Sequence, residues 1–186
     1  MKRFYGNKSR IIVIGGGIVG LTLVNRLIEE NRNLNVILFE KENDLGKHAS
    51  GLNSGVIHSG IYNKPATMKS TFAISGNEKM KTYIRKKNLS MLETGKLIIA
   101  QDNRDSVYLR KMHESGKAVG IISELLSSPE ILEKEPLAKA EFESLWVPST
   151  AIGNPRELIH SLRDDFLALG GRIELNSKIK VVDSTL

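Results

Sequence analysis

The chain has 186 residues, of which 40% are hydrophobic and 26% are charged, and this balance is typical of a folded globular protein. It contains no cysteine, which excludes a disulfide scaffold, a cysteine-ligated metal centre and a catalytic thiol. Its 27 basic and 21 acidic residues leave a formal net charge of +6. The basic residues are scattered and only 5% of residues are aromatic, so we expect no nucleic-acid partner and interpret the charge as a surface that favours anionic ligands.

The amino terminus shares two features with a signal peptide, because Met1-Lys2-Arg3 precedes an apolar stretch over residues 11–24. Four glycines interrupt that stretch, charge resumes at Arg26, and the stretch is too short to cross a bilayer. We therefore expect neither a targeting segment nor a transmembrane helix. The expected location is the cytoplasm, and association with the inner face of the membrane stays open.

The first forty residues predict a strand, a helix and a second strand. Residues 11–14 are wholly apolar and end at a glycine, which is typical of a parallel strand covered on both faces. Apolar residues then recur at three- and four-residue steps over residues 17–31, which predicts a helix. Residues 34–39 predict another buried strand, and the three elements together predict a right-handed βαβ unit.

The rest of the chain predicts a loop and a mixture of helices and strands. Residues 47–60, rich in Gly, Ser, Asn and His, predict the loop. The other predicted elements are a helix over 65–87, a strand over 97–100, a helix from 102, a helical turn at 131–132, a strand over 145–147, a helix between Asn154-Pro155 and Gly170-Gly171, and strands over 172–175 and 178–182. We expect parallel strands at 10–14, 35–40 and either 172–175 or 178–182, with an antiparallel α+β lobe inserted over about 67–150.

A glycine motif, Gly15-x-Gly17-x-x-Gly20, lies between the first predicted strand and helix. A dinucleotide site needs a tight turn at Gly15, close backbone approach to a pyrophosphate at Gly17, and helix packing on the strand at Gly20. The amino terminus of the helix then favours the anion. Glu40 follows about twenty residues later, where a carboxylate accepts hydrogen bonds from a ribose diol and disfavours NADP. The motif predicts dinucleotide binding and leaves FAD and NAD as alternatives.

A second motif distinguishes these alternatives. Residues 48–62 (HASGLNSGVIHSGIY), followed by Lys64-Pro65, closely resemble the L-2-hydroxyglutarate oxidase/dehydrogenase family, which are FAD enzymes of the D-amino-acid-oxidase-like superfamily. The resemblance continues through residues 95–98, 134–136 and 170–171. It implies FAD as cofactor and an α/β fold, in which a Rossmann-like FAD/NAD(P)-binding domain carries part of an inserted α+β substrate domain. One departure is Leu52, where the family usually has a second histidine.

Glycines and short polar side chains suit a flavin-binding loop because they bring donors and acceptors close to the cofactor. The predicted cofactor-binding residues are Gly15, Gly17, Gly20, Glu40, Lys41, His48, Ser50, Asn53, Ser54 and Gly55. A hydroxy acid must lose its hydroxyl proton as it is oxidised, and a neutral imidazole is a suitable acceptor, so His58 is the predicted catalytic base. A hydrogen bond from His58 to the loop or cofactor is the alternative. The four histidines are scattered, so we predict no metal site.

The resemblance also implies an activity and partners. The implied reaction is oxidation of an L-2-hydroxy acid, with L-2-hydroxyglutarate converted to 2-oxoglutarate by hydride transfer to flavin N5. The implied partners are the small-molecule 2-hydroxy acid and an electron acceptor, either oxygen or a quinone. Three alternatives stay open: another amino-acid or hydroxy-acid oxidase of the superfamily, an NAD-dependent dehydrogenase, and a non-catalytic remnant that binds nucleotide weakly.

Compared with the superfamily, the chain is expected to be the amino-terminal portion of a truncated or split enzyme. The predicted segments are residues 1–66 for the first part of the FAD-binding domain, 67–150 for a partial substrate lobe, and 151–186 for the return to the FAD-binding domain. We expect the 186-residue chain alone to be inactive and to hold FAD weakly. We also expect apolar strand faces and a sheet edge to be exposed.

Overall fold

A computed structural model describes residues 10–180 of the chain. The helices and strands are, in chain order, β1 (Arg10–Ile14), α1 (Ile18–Glu30), β2 (Asn35–Phe39), β3 (Val56–Ile57), α2 (Met68–Lys86), β4 (Met91–Leu92), β5 (Lys96–Ile98), α3 (Asn103–Lys117), β6 (Glu124–Leu126), α4 (Ser128–Lys134), β7 (Ser144–Val147), β8 (Ala151–Gly153), α5 (Pro155–Ala168) and β9 (Arg172–Glu174). The described residues form two compact units. The first consists of residues 10–54 and 154–180, and the second of residues 55–153.

The boundaries between the units differ from the predicted segments 1–66, 67–150 and 151–186. The first boundary lies after Ser54 and the second after Gly153. Strand pairing is the reason, because β3 pairs antiparallel with β8 and thereby joins the residues at both ends of the insertion. The assignment of the segments to FAD and to substrate stays a prediction.

The first unit contains a parallel sheet in the order β1-β2-β9. This confirms the parallel strands predicted at 10–14 and 35–40, and it identifies the third strand as β9 within the predicted range 172–175. Residues 178–180 form no strand, so the alternative at 178–182 is wrong for its described part, and residues 181–182 lie outside the described residues.

Two helices, α1 and α5, pack against each other and against this sheet. The apolar periodicity predicted for α1 is confirmed by its buried side chains Leu21, Val24 and Ile28. The buried side chains of α5 are Leu158, Ile159, Leu162 and Phe166. The buried amide of Asn25 joins the helices, since its Nδ2 donates to the carbonyl oxygens of Leu21 (2.9 Å) and Leu162 (2.8 Å).

One prediction about β1 is wrong, because the strand is not covered on both faces. Ile12 and Ile14 are 54% and 57% exposed, which agrees with the expectation of an exposed apolar strand face. In register with Ile12 on the same face lies Ile37, which is only 5% exposed. The difference arises because β2 has a paired strand on each side, whereas β1 pairs with β2 alone among the described strands.

The second unit contains two antiparallel sheets, in the orders β3-β8-β4 and β5-β7-β6, which confirms the predicted antiparallel lobe. Its core includes Leu109, Met112, Ile121, Leu145 and Val147. Helix α2 begins at Met68 rather than at the predicted Pro65. Ala66 has a left-handed backbone (φ 58°), and the Thr67 hydroxyl then caps the helix by accepting the Ser70 N–H at 3.2 Å.

Candidate cofactor and substrate site

The glycine motif forms the turn between β1 and α1. Gly15 has a φ of 106°, a left-handed conformation that favours glycine, and its N–H donates to the carbonyl oxygen of Phe39 at 2.8 Å. Gly20 lies so close to the turn that an added Cβ would overlap the carbonyl oxygen of Gly15. The local roles predicted for Gly15 and Gly20 therefore agree with the structure, and Gly17 is the N-cap of α1.

Glu40 follows β2 and is directed at this turn. Its side chain is buried, with 7% of the residue exposed, and its Oε2 accepts the N–H of Gly16 at 2.6 Å. Its Oε1 accepts the N–H of Glu42 at 3.0 Å. Each carboxylate oxygen has further lone pairs, so the predicted acceptor role toward a ribose is compatible with these bonds. The sequence reasoning missed Gly16, although the uninterrupted run of three glycines was a signal for it.

Ser50, in the loop that follows β2, contacts the amino terminus of α1. Its Oγ accepts the N–H of Ile18 at 3.0 Å, and a Cβ added to Gly17 would lie 2.9 Å from the same oxygen. The N–H of Gly46 also donates to the carbonyl oxygen of Gly16 at 3.0 Å. No acidic residue occupies the first turn of α1, so no carboxylate of the helix itself would repel an anion at this end.

Two other predicted cofactor residues, Lys41 and His48, converge on Glu42. Nε2 of His48 lies 2.9 Å, and Nζ of Lys41 lies 3.5 Å, from Oε1 of Glu42. The hydrogen bond with His48, and after it the contact with Lys41, lowers the pKa of Glu42. The sequence reasoning missed Glu42, which gives both predicted residues an acidic partner within the protein.

The remaining predicted cofactor residues, Asn53, Ser54 and Gly55, lie where the first unit ends and the second begins along the chain. The amide of Asn53 donates to the carbonyl oxygens of Ala49 (2.9 Å) and Ser50 (3.0 Å), so it stabilises the loop itself. Ser54 is exposed at the end of this segment of the first unit. Gly55 belongs to the second unit, where its carbonyl oxygen accepts the N–H of Gly153 at 2.9 Å.

The predicted base, His58, lies in the second unit just after β3. Its side chain is exposed and lines a cavity of about 340 Å³ together with Tyr62, Lys69, Lys96 and Thr150. Asn77 of α2 fixes the adjoining backbone, because its Nδ2 lies within 3.0–3.2 Å of the carbonyl oxygens of Ile57, His58 and Ser149. These contacts position His58 through its main chain and leave the imidazole at the cavity wall.

The sequence model of the FAD dependent oxidoreductase family, DAO, matches residues 10–185. The chain belongs to this family. The match covers nearly all of the sequence and confirms the predicted family, with FAD as its cofactor and oxidation–reduction as its class of chemistry.

The relatives of this chain include L-2-hydroxyglutarate dehydrogenases. The chain is 34% identical over 174 residues to the mitochondrial L-2-hydroxyglutarate dehydrogenase of Homo sapiens, covering 93% of this chain and 37% of that protein. It is 32% identical over 171 residues to the L-2-hydroxyglutarate dehydrogenase of Salmonella houtenae, covering 92% of this chain and 40% of that protein. The chain thus spans about two fifths of these curated relatives.

A solved structure shares the fold of this chain. The dithionite-reduced L-alpha-glycerophosphate oxidase of Mycoplasma pneumoniae with FAD bound superposes with a TM-score of 0.81 at 25% identity. The superposition covers 90% of this chain and 44% of that protein. It confirms the predicted fold class, including the partial extent of the chain relative to its structural neighbours.

The residues of the first unit fit a dinucleotide such as FAD. Gly17 begins α1 without a capping side chain of its own, and a buried carboxylate, Glu40, lies beside the turn. These two features match the anionic and the ribose parts of a dinucleotide.

Within residues 10–180, no helix combines the length and apolar character needed to cross a membrane. Among the same residues, no three His, Asp or Glu side chains are grouped so that they could hold a metal ion.

Proposed function

We propose that this chain carries the dinucleotide-binding turn and the substrate base of a flavin enzyme that oxidises L-2-hydroxy acids, with L-2-hydroxyglutarate as substrate and 2-oxoglutarate as product. The observation that carries the proposal is that one chain contains both kinds of site: a glycine turn with Glu40 in the first unit, and a His58-lined cavity in the second. The identity to L-2-hydroxyglutarate dehydrogenases supports the choice of substrate.

The first unit would hold the cofactor. Gly15, Gly17 and Gly20 shape the turn, and the amino terminus of α1 would hold the pyrophosphate, with Ser50 beside it. Glu40 would accept hydrogen bonds from the ribose hydroxyls, while the N–H groups of Gly16 and Glu42 keep its carboxylate in place. FAD, when bound, supplies the acceptor at flavin N5 for the hydride that leaves C2 of the hydroxy acid.

The second unit would supply the base that accepts the hydroxyl proton of the substrate. As the C2–H bond of the hydroxy acid breaks, the C2 hydroxyl must lose its proton to become the carbonyl of the 2-oxo acid. A neutral imidazole nitrogen of His58 accepts that proton. Asn77 holds the main chain of His58 and thereby limits where the imidazole lies relative to the cavity. The electron acceptor proposed for the reduced enzyme is oxygen or a quinone.

We further infer that the 186-residue chain by itself binds FAD weakly and does not turn over substrate. The support is that the described contacts suited to FAD lie around the ADP end of the cofactor, and that relatives with the named activity are more than twice as long. Each charge-assisted hydrogen bond that is not made weakens binding by roughly 1.5–3 kcal/mol, so the loss of several would reduce affinity by orders of magnitude.

The test compares the purified chain with the chain co-expressed with the part of the Salmonella houtenae relative that it does not match. The measurements are the visible flavin spectrum and dye-linked oxidation of L-2-hydroxyglutarate, D-2-hydroxyglutarate, L-lactate, glycine and L-alpha-glycerophosphate. We expect flavin and turnover of L-2-hydroxyglutarate only in the co-expressed sample. Turnover of glycine or glycerophosphate instead would assign another oxidase of the superfamily. Tight NADH binding without FAD binding would contradict the proposed cofactor.

A further inference from the structure

The cavity of the second unit is basic. Its lining includes His58, Lys69 and Lys96, and it includes no aspartate or glutamate. Three separate elements bring these side chains together: His58 follows β3, Lys69 lies in the first turn of α2, and Lys96 begins β5. A volume of about 340 Å³ is in the range of small-molecule sites, roughly 300–1,000 Å³.

The two lysines of the cavity lack the acidic partners that another lysine of the same unit has. Buried Lys81 lies 3.1 Å from Glu78 and 3.7 Å from Glu93, and it donates to the carbonyl oxygen of Ser149 at 3.2 Å. Lys69 and Lys96 form no ion pair with any residue among 10–180. Their positive charge is therefore not neutralised by the described protein.

Lys96 is also held in place. Its Nζ lies 4.4 Å from the centre of the Tyr62 ring, and both residues line the cavity. A cation–π contact stabilises the ammonium without removing its charge, and it leaves N–H donors for a ligand. Lys69, by contrast, is exposed.

We propose that this cavity is a carboxylate subsite, in which Lys69 and Lys96 bind the two carboxylates of a dicarboxylate 2-hydroxy acid. The inference rests on the proposed function and extends it, because it assigns recognition of the acidic substrate to residues of this chain. Two ammonium groups balance the two negative charges of the ligand, and ammonium–carboxylate hydrogen bonds are stronger than neutral ones. His58, at the same wall, is then placed beside a ligand whose hydroxyl lies next to one carboxylate.

The experiment measures ligand binding to the full chain by NMR, with isotope-labelled lysine and histidine side chains as reporters. L-2-Hydroxyglutarate is the dicarboxylate probe, and L-lactate is a 2-hydroxy acid with one carboxylate. The variants are Lys69→Gln and Lys96→Gln, with Lys79→Gln as the matched control, because Lys79 is exposed on the same helix as Lys69 and does not line the cavity.

We expect L-2-hydroxyglutarate to shift the signals of His58, Lys69 and Lys96 and to bind at least about tenfold more tightly than L-lactate. Lys69→Gln and Lys96→Gln should each raise its Kd about tenfold, whereas Lys79→Gln should change it less than about twofold. Because Lys96→Gln also removes the contact with Tyr62, Lys96→Arg serves as a second variant and should bind within about threefold of the unchanged chain. Equal affinity for both ligands, or cavity variants that match Lys79→Gln, would overturn the proposal.

The two proposals fail in different ways. If the cavity binds the dicarboxylate as expected while the flavin-loaded, co-expressed enzyme oxidises no 2-hydroxy acid, the proposed function is wrong and the subsite stands. If that enzyme oxidises L-2-hydroxyglutarate with the same kcat/KM in Lys69→Gln, Lys96→Gln and Lys79→Gln, the subsite is wrong and the proposed function stands.

Discussion

The carboxylate of Glu40 accepts a hydrogen bond from the backbone N–H of Gly16 at 2.6 Å, and this bond joins the end of β2 to the glycine turn that follows β1. The carboxylate is buried and also accepts the N–H of Glu42 at 3.0 Å. An acid suited to ribose recognition is thus also a structural part of the turn that would face the pyrophosphate. Its geometry is fixed by the protein before any ligand arrives.

Removal of the Glu40 side chain should therefore affect stability as well as cofactor binding. In Glu40→Ala the N–H groups of Gly16 and Glu42 lose their acceptor, and we expect the free energy of unfolding to fall by about 1–3 kcal/mol. Chemical denaturation measures this loss. Glu29→Ala, at an exposed position of α1, is the control and should change the same quantity by less than about 0.5 kcal/mol. Equal losses in the two variants would contradict the role assigned to Glu40.

Ser50→Ala tests the contact at the amino terminus of α1. The variant removes the oxygen that accepts the Ile18 N–H at 3.0 Å, which is equivalent to loss of a helix cap from another segment of the chain. We expect a loss of about 0.5–2 kcal/mol in the free energy of unfolding, together with weaker FAD binding in a fluorescence titration. Thr22→Ala removes a hydroxyl from an exposed position of the same helix and should change neither quantity appreciably. FAD affinity unchanged in Ser50→Ala would show that Ser50 has only a structural role.

Asn77 positions the backbone around His58, and its replacement should release that backbone. The residue is 4% exposed and its Nδ2 serves three carbonyl oxygens, so Asn77→Ala should lower the free energy of unfolding by about 1–3 kcal/mol. The side-chain NMR signals of His58 should also shift and broaden. Thr71→Ala, at an exposed position of the same helix, should leave those signals unchanged. If Asn77→Ala is destabilised but the His58 signals are unchanged, Asn77 stabilises the fold without positioning His58.

The pair of His48 and Glu42 predicts a pH dependence. Their hydrogen bond lowers the pKa of Glu42 in the folded chain, so the ionised carboxylate contributes stability at neutral pH. That contribution is lost as the pH falls through the folded-state pKa of Glu42. In His48→Ala the pKa of Glu42 should rise toward its usual range, as measured by carboxyl ¹³C NMR titration. His160→Ala, at another exposed histidine, is the control and should leave the titration of Glu42 unchanged.

Ile12 and Ile37 lie in register on one face of the parallel sheet and provide a matched pair for burial. Ile37→Ala removes a buried side chain and should cost about 2–5 kcal/mol in the free energy of unfolding. Ile12→Ala removes a side chain that is 54% exposed and should cost less than half as much. Ile12→Thr should also reduce self-association in analytical ultracentrifugation, because it interrupts the exposed apolar face. Equal costs for the two alanine variants would mean that the face is covered in solution.

The sequence alone determined the features that depend on neighbouring residues. The βαβ unit follows from local periodicity, and the conformation of Gly15 follows from a turn that excludes side chains. Asn154 as the cap of α5 is equally local, since its side chain accepts the N–H of Arg156 and of Glu157. Such features are set by contacts between residues a few positions apart, and a pattern in the sequence is enough to predict them.

Only the tertiary structure decided which distant residues meet. Three contacts join segments that are far apart in the chain. Ser50 accepts the N–H of Ile18, Asn77 donates to the carbonyl oxygens of Ile57 and Ser149, and β3 pairs with β8. No local pattern records such pairings, because their free energy comes from burial and hydrogen bonding that exist only after the chain has closed the intervening loops. For the same reason no local pattern brings Lys69 and Lys96 together, and they become neighbours of His58 only in the folded second unit.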